Sequence, residues 1–316
     1  MSVPEVISVG RISVDLYAVE KNVGFDGPQT FTKSVGGSPT NVAVAAARLG
    51  RQAAIVTKVG DDGFGTYVRN RLSDWGVTVD HVGTAPLGQT PLAFTALNPV
   101  ETPQLSFYRG SSAPDTTLQA SDLPSESVRD CGVFWMSHGA LAAGSTAGAS
   151  MTWLEQRDRI GHTILDLDYR PALWPDLQTS RRMSRRAIEL ATVVVGNLDE
   201  CEMALGTRNI EAAAAALLDA GVELAVIKLG GDGVYLAVPG KSWTVAPIPV
   251  RVVSGLGAGD AFGGALSHGL LSGWNPDVLG TFANAAGALV ASRLACAEAM
   301  PTLEEIESLI VTTEKK

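Results

Sequence analysis

Short apolar runs alternate with longer amphipathic stretches along most of the chain. Val6-Ile7-Ser8-Val9-Gly10 predicts a buried strand. Ser38-Pro39-Thr40-Asn41 then opens a predicted helix: Ser38 can cap it, Pro39 suits its first turn, and Gly50 sits where it should stop. Ala53 to Val59 reads as a second strand. Phe64, Val68, Leu72 and Trp75 recur at helical spacing, with Gly76 just past the end. The second half repeats the rhythm. Gly132–Met136, Thr163–Asp166, Thr192–Val195 and Leu224–Ile227 are apolar and rich in β-branched residues, with helical segments such as Glu211–Asp219 between them. Near-continuous apolar strands alternating with amphipathic helices predict an α/β fold, its mostly parallel sheet covered on both faces. Ligands of such sheets bind at the carboxyl ends of the strands.

Two stretches break the rhythm. Residues 12–35 and 89–110 carry β-type and turn residues without a helical period. They read as short strand pairs outside the main sheet, able to form a small lid, or else as two long surface loops.

Length and charge narrow the partners. A chain of 316 residues suits one large α/β domain. A net charge of −9 argues against nucleic-acid binding. It also means that any bound anion needs a local device, because the global field repels it. Cys131, Cys201 and Cys296 are odd in number and far apart, and the four histidines are scattered, so neither a disulfide framework nor a zinc site is expected. No signal peptide or membrane-spanning run is apparent, and a cytoplasmic location is expected.

One segment offers the anion device. In Gly255-Leu256-Gly257-Ala258-Gly259-Asp260 the glycines lie where a helix begins, since Phe262, Ala265, Leu266 and Leu270 form an apolar stripe beyond them. Free backbone N–H groups and the helix dipole favour negative charge there. Asp260, in the first turn, is expected to be held ionised and able to accept a proton from an attacking hydroxyl beside a phosphate. Read alone, the segment serves equally as an ordinary Gly-rich helix start. A dinucleotide fingerprint fails because its last glycine position is Asp260, and a Walker A loop fails because the position five before Gly240-Lys241-Ser242 is Tyr235.

Weaker candidates accompany it. Lys228-Leu229-Gly230-Gly231-Asp232-Gly233 is a nucleotide-accommodating turn or a plain hairpin. Asn197-Leu198-Asp199-Glu200 after a strand can order Mg²⁺ and its waters, or form a capping box, or both. Gly36-Gly37-Ser38-Pro39-Thr40-Asn41 can let a polyhydroxylated ligand approach the backbone. Arg109 and Arg170 are isolated cations near strand ends, able to grip a carboxylate or to form surface ion pairs.

In this order the blocks resemble the ribokinase/PfkB carbohydrate kinase family over essentially the whole chain, from Gly36–Asn41 to Gly257–Asp260. The resemblance implies one ribokinase-like domain over 1–316, a three-layer sandwich with a small β lid at about 12–35 and 89–110, often used for homodimerisation. It implies ATP and Mg²⁺ as cofactors. Asp260 is then the base, and the amides of Gly257, Ala258 and Gly259 form the anion hole. Asn197 and Glu200 match the phosphate and Mg²⁺ region, with Glu200 holding the metal through water. Lys228, Gly230, Gly231 and Gly233 match the nucleotide turn, with Asn284 beside it. Asp15, Gly36, Gly37 and Asn41 match the sugar end.

Gly10–Tyr17, Gly36–Gly50, Ser106–Arg109 and Leu165–Trp174 further resemble the 5-dehydro-2-deoxygluconokinases. Phe107, Arg109, Asp168 and Arg170 are thereby expected at the substrate, with the two arginines on a sugar-acid carboxylate. The competing readings are a 2-keto-3-deoxygluconate kinase, a fructokinase or a nucleoside kinase of the same family, and a non-catalytic sugar or nucleotide sensor on the same fold. Where many members carry Asp-Thr-Thr before the Gly-Ala-Gly-Asp block, this chain has Ser254-Gly255-Leu256. Activation by a monovalent cation is therefore left open.

Overall fold

Successive residues of one strand enter opposite cores. In Val133–Ser137, Val133 and Trp135 pack into one apolar cluster, while Phe134 and Met136 pack into the other. The strands Ala53–Gly60 and Leu224–Lys228 alternate in the same way. A sheet apolar on both faces must be covered on both, which is what the near-continuous apolar runs require.

The computed structural model describes residues 3–99, 103–110 and 112–314. Its first half runs β1 (Val6–Val9), β2 (Ser13–Lys21), β3 (Phe31–Gly36), α1 (Ser38–Arg48), β4 (Ala53–Gly60), α2 (Gly63–Asp74), β5 (Val82–Ala85), β6 (Leu92–Leu97), β7 (Gln104–Tyr108), α3 (Ser125–Asp130), β8 (Val133–Ser137) and α4 (Gly144–Arg157). There follow β9 (His162–Asp166), α5 (Leu177–Glu189), β10 (Val193–Asn197), α6 (Leu198–Leu205), α7 (Ile210–Asp219), β11 (Leu224–Lys228), β12 (Val234–Val238) and β13 (Lys241–Val245). Helices α8 (Ala258–Leu271), α9 (Pro276–Ala291) and α10 (Leu303–Glu314) close the chain.

Among the described residues the main sheet has nine strands, in the order β13-β12-β11-β10-β9-β8-β1-β4-β5. From β11 to β5 the pairs are parallel, and β12 and β13 add an antiparallel edge. Helices α1, α2, α8, α9 and α10 contribute to one core, and α3 to α7 to the other. The result is a ribokinase-like α/β architecture of three layers. The two irregular segments pair with each other in a separate four-stranded sheet, β3-β2-β6-β7, in which β2 and β6 run parallel. Residues 100–102 of the second segment lie outside the described residues. Among the described residues no helix is long and apolar enough to cross a membrane.

One expected cap is replaced. The N-cap of α1 is Gly37 with φ 101°, not Ser38, and Ser38 and Pro39 are the first helical residues. A Cβ on Gly37 would sit 2.3 Å from the Arg11 carbonyl oxygen, so a bulkier cap has no space.

Gly264 of α8 sets the distance to α1, and Gly263 the distance to the strand β8. A Cβ on Gly264 would lie 2.3 Å from Ala45 Cβ, and one on Gly263 would lie 2.5 Å from the Trp135 ring. The helices thus approach backbone to side chain, which brings the starts of α1 and α8 together at the carboxyl ends of the strands.

Candidate active site

Gly257 stands at the N-cap of helix α8; it has φ 79°, and a Cβ there would meet Cys296 Sγ at 3.0 Å. No side chain caps the helix. Its first-turn amides, including those of Ala258 and Gly259, are therefore left for an anion. Asp260 is the third residue of this turn, and Asn41 Nδ2 donates to its Oδ2 at 2.7 Å. Burial, followed by the nearby Asp168 carboxylate, pushes Asp260 up to about 6, against the pull of Asn41, Ser38 and Arg170. The helix start was expected to favour its charged form, but desolvation outweighs it. A carboxylate poised near 6 is still ionised at neutral pH and is a stronger base than a free aspartate.

Lys228 ends β11 opposite Asn197 of β10. Its Nζ lies 3.8 Å from Asp166 and 3.9 Å from Glu200, and 3.5 Å from where a Cβ on Gly259 would be. The ammonium therefore backs the amides at the start of α8. Burial alone would lower Lys228, but Asp166, Glu200, Asp168 and Asp260 together raise it, so the cation is secure. Burial pushes Asp166 up to about 7, with Lys228 opposing. Asn197 and Glu200 form the reciprocal capping box of α6: Glu200 N donates to Asn197 Oδ1 at 2.9 Å, and Asn197 N to Glu200 Oε2 at 2.7 Å. The box fixes the Glu200 carboxylate beside Lys228. Among the described residues no three His, Cys, Asp or Glu side chains form a metal cage. The oxygen donors of Asp166 and Glu200 fit a hard cation that keeps most of its waters and takes its remaining ligands from phosphates.

Two cavities flank this centre. One of about 490 Å³ is lined by Gly230, Gly231, Gly255, Gly259 and Asn284, with a wall from Pro247 to Val252. Asn284 Nδ2 donates to the Ala246 carbonyl at 3.0 Å and so braces that wall. Gly233 is not in the lining. With φ 95° and a Cβ position 2.1 Å from the Val245 carbonyl oxygen, it lets the hairpin close.

The other cavity, of about 470 Å³, is lined by Gly10, Arg11, Phe107, Arg109, Asp115 and Arg170, among others. Neither expected arginine is isolated. Arg109 pairs with buried Asp115 at 2.6 Å, and Arg170 pairs with Asp168 at 2.8 Å. Nearby, Asp15 accepts from Ser13 Oγ at 2.7 Å, and burial pushes it up to about 6. Gly36 makes room for that carboxylate, since a Cβ there would lie 2.0 Å from Asp15 Oδ1. A larger cleft of about 880 Å³ lies beside the four-stranded sheet between Lys33, Phe64 and Tyr108, and shares only Arg109 with the expected residues.

Arg11, Asp115 and Asp166 belong to none of the sequence motifs, yet they stand among the site's charges. Their pairing spans up to 157 residues, as between Arg11 and Asp168, and no local spacing reports it. Asp166 alone had a local signal, a carboxylate at the last position of a parallel strand.

The pfkB family carbohydrate kinase pattern matches residues 3–303. The 5-dehydro-2-deoxygluconokinase of Geobacillus thermodenitrificans is 32% identical over 311 residues, covering 96% of this chain and 92% of that protein. The one from Clostridium tetani is 31% identical, covering 99% and 94%. Among solved structures, an E. coli chain in complex with ATP and Mg²⁺ is 26% identical with a TM-score of 0.88, covering 98% of this chain and 99% of its own. The fructokinase of Vibrio cholerae, bound to fructose, ADP and calcium, is 28% identical with a TM-score of 0.84, covering 98% and 100%.

Proposed function

Since the chain belongs to the pfkB family of carbohydrate kinases, we propose that it transfers the γ-phosphate of ATP to a primary hydroxyl of a C6 sugar acid, 5-dehydro-2-deoxygluconate. The observation that carries this reading is the position of Asp260. It lies at the start of α8 without a side-chain cap, held by Asn41, next to Gly259 of the glycine-lined cavity and within the influence of Arg170 of the arginine-lined one.

ATP occupies the cavity of Gly230, Gly231, Gly255 and Asn284. Its γ-phosphate points at the amides of Gly257, Ala258 and Gly259, where Lys228 adds positive charge. Asp166 and Glu200 are the residues that would hold Mg²⁺ through water, and the ion would supply neutralisation of phosphate charge. The sugar acid occupies the arginine-lined cavity. Asp260 accepts the proton as the hydroxyl oxygen attacks the γ-phosphorus. The bond to the β,γ-bridging oxygen breaks, ADP leaves, and charge on the equatorial oxygens is met by the amides and Lys228. Asp15 positions the sugar hydroxyls. The four-stranded sheet acts as a lid over this end. Its exposed Val19, Leu105, Phe107 and Tyr108 serve as the contact with a second copy.

The names of the relatives and the three arginines of the cavity support an acid over a neutral sugar. A coupled ADP-release assay with 5-dehydro-2-deoxygluconate, 2-keto-3-deoxygluconate, fructose, ribose and adenosine tests this. The first should give the highest kcat/KM. A preference for fructose or ribose overturns the acid assignment, and no turnover with any of them favours a sensor.

A further inference from the structure

A buried contact runs from the sugar end to the start of α8 through residues that no step above uses. Asp15 and Tyr17 are two apart on β2 and so point to the same face of the four-stranded sheet. The Tyr17 hydroxyl and Cys296 Sγ lie 3.0 Å apart. Both residues are buried. Cys296 in turn closes the space beside Gly257, where a Cβ would meet its Sγ at 3.0 Å, its Cβ at 3.1 Å and its Cα at 3.2 Å. Gly257 is the N-cap of α8, whose first amides meet the phosphate in the reading above.

Both groups of this contact stay protonated. Burial pushes the Tyr17 hydroxyl and the Cys296 thiol up, and Asp15 adds to both. They therefore hydrogen-bond as a neutral pair and put no negative charge behind the phosphate site. Tyr17 also acts on Asp15, which burial raises and which Ser13 and Tyr17 pull down. The turn that carries Cys296 is held firmly. Ala295 has φ 83°, a left-handed backbone that alanine disfavours. Arg293 Nη1 donates to the Ala299 carbonyl at 3.0 Å, and Ser34 Oγ of β3 donates to the Glu298 carboxylate. A close-packed, tied turn passes a shift of β2 on to Gly257, where a loose one would absorb it.

We propose that Tyr17 is a positioning residue: through Cys296 it links β2 to Gly257, so that a sugar held by Asp15 tightens the binding of a γ-phosphate at the start of α8. The proposal rests on the kinase reading above. It amounts to a coupling free energy between the two ligands, which is reciprocal.

Calorimetry reads the coupling as the factor by which 5-dehydro-2-deoxygluconate lowers the Kd of adenylyl imidodiphosphate, a non-hydrolysable ATP analogue, in the presence of Mg²⁺. In the wild-type protein that factor should be about 5-fold or more. Tyr17→Phe keeps the ring and removes only the hydroxyl. It should cut the factor about 2- to 10-fold, the range for one neutral hydrogen bond, and leave the analogue's Kd without sugar within about 2-fold. Cys296→Ala should do the same, and combining the two should add nothing, because both break one bond. Cys296→Ser keeps a partner for the hydroxyl and should retain most of the factor. With ADP, which lacks the γ-phosphate, Tyr17→Phe should change nothing, whereas a merely structural role would weaken ADP and the analogue alike. No coupling in the wild type, an unchanged factor in Tyr17→Phe, an equal loss with ADP, or additive losses in the double variant overturns the proposal. If the wild type prefers another sugar of the panel, it is the sugar-acid reading that fails, and the same titrations with that sugar test the coupling.

Discussion

Asn41 Nδ2 donates to Asp260 Oδ2 at 2.7 Å, across 219 residues of sequence. The bond joins the start of α1 to the start of α8 and lowers Asp260 against burial and Asp168. Asn41 is buried, and its Oδ1 has no hydrogen-bond partner among the described residues. The orphaned oxygen is therefore available to a ligand hydroxyl. Asn41→Ala should reduce kcat about 10- to 100-fold, as expected for one hydrogen bond to a charged group. Steady-state kinetics with saturating ATP would check it.

The same bond predicts a pH effect. Asp260 must be ionised to accept a proton, and its pKa stands at about 6. kcat/KM should therefore fall as pH drops through about 6. In Asn41→Ala this acid limb should move to higher pH, because a group that lowers Asp260 has been lost. An unmoved limb would mean that another group controls it.

Two glycine substitutions separate close packing from open space. Gly264→Ala forces a Cβ to within 2.3 Å of Ala45 Cβ and must part α1 from α8. Overpacking of this kind destabilises by about 1–3 kcal/mol, and here it should also lower kcat by stretching the Asn41–Asp260 bond. Gly148 lies in the interior of α4 with nothing within 4 Å of its Cβ position. Gly148→Ala should stabilise by about 0.5–1 kcal/mol through lost unfolded-state freedom. Urea denaturation of both variants reads this directly.

Asp166 makes a prediction about stability. Its folded-state value is raised from 3.8 to about 7. A raised carboxylate binds its proton more tightly in the folded state, so its contribution is fully present below the unfolded value and is lost as pH rises through the folded one. Asp166→Asn removes that titration. The stability of the variant relative to wild type should therefore grow as pH rises from about 4 to about 7. Melting temperatures of the unliganded proteins over that range would show it, and a constant difference would contradict it.

Much of the fold was legible because each apolar run maps onto one strand, and Val133–Ser137 and Leu224–Lys228 begin and end within a residue or so of their patterns. The start of α8 was legible because its glycines and the apolar stripe from Phe262 are local signals. What the sequence concealed depends on distant neighbours. Arg170 reads as an isolated cation until Asp168 and Arg11 are seen to share charge with it. Asp260 reads as a dipole-favoured anion until burial and Asp168 are counted. Ser38 reads as a cap until the Arg11 carbonyl is found where only Gly37 fits. Gly233 reads as a ligand-facing glycine, but the close approach of the Val245 carbonyl explains it.

The proposed transfer depends on Asp260 as its base. The measurement that tests it most directly is a single-turnover phosphoryl-transfer assay on Asp260→Asn, paired with calorimetric titration of ATP. The variant keeps the side chain's shape and the uncapped start of α8. Transfer to 5-dehydro-2-deoxygluconate should slow by about 10²- to 10⁴-fold, the usual range for a lost general base, while ATP affinity stays within a few fold of wild type. Near-normal transfer by Asp260→Asn would contradict the account.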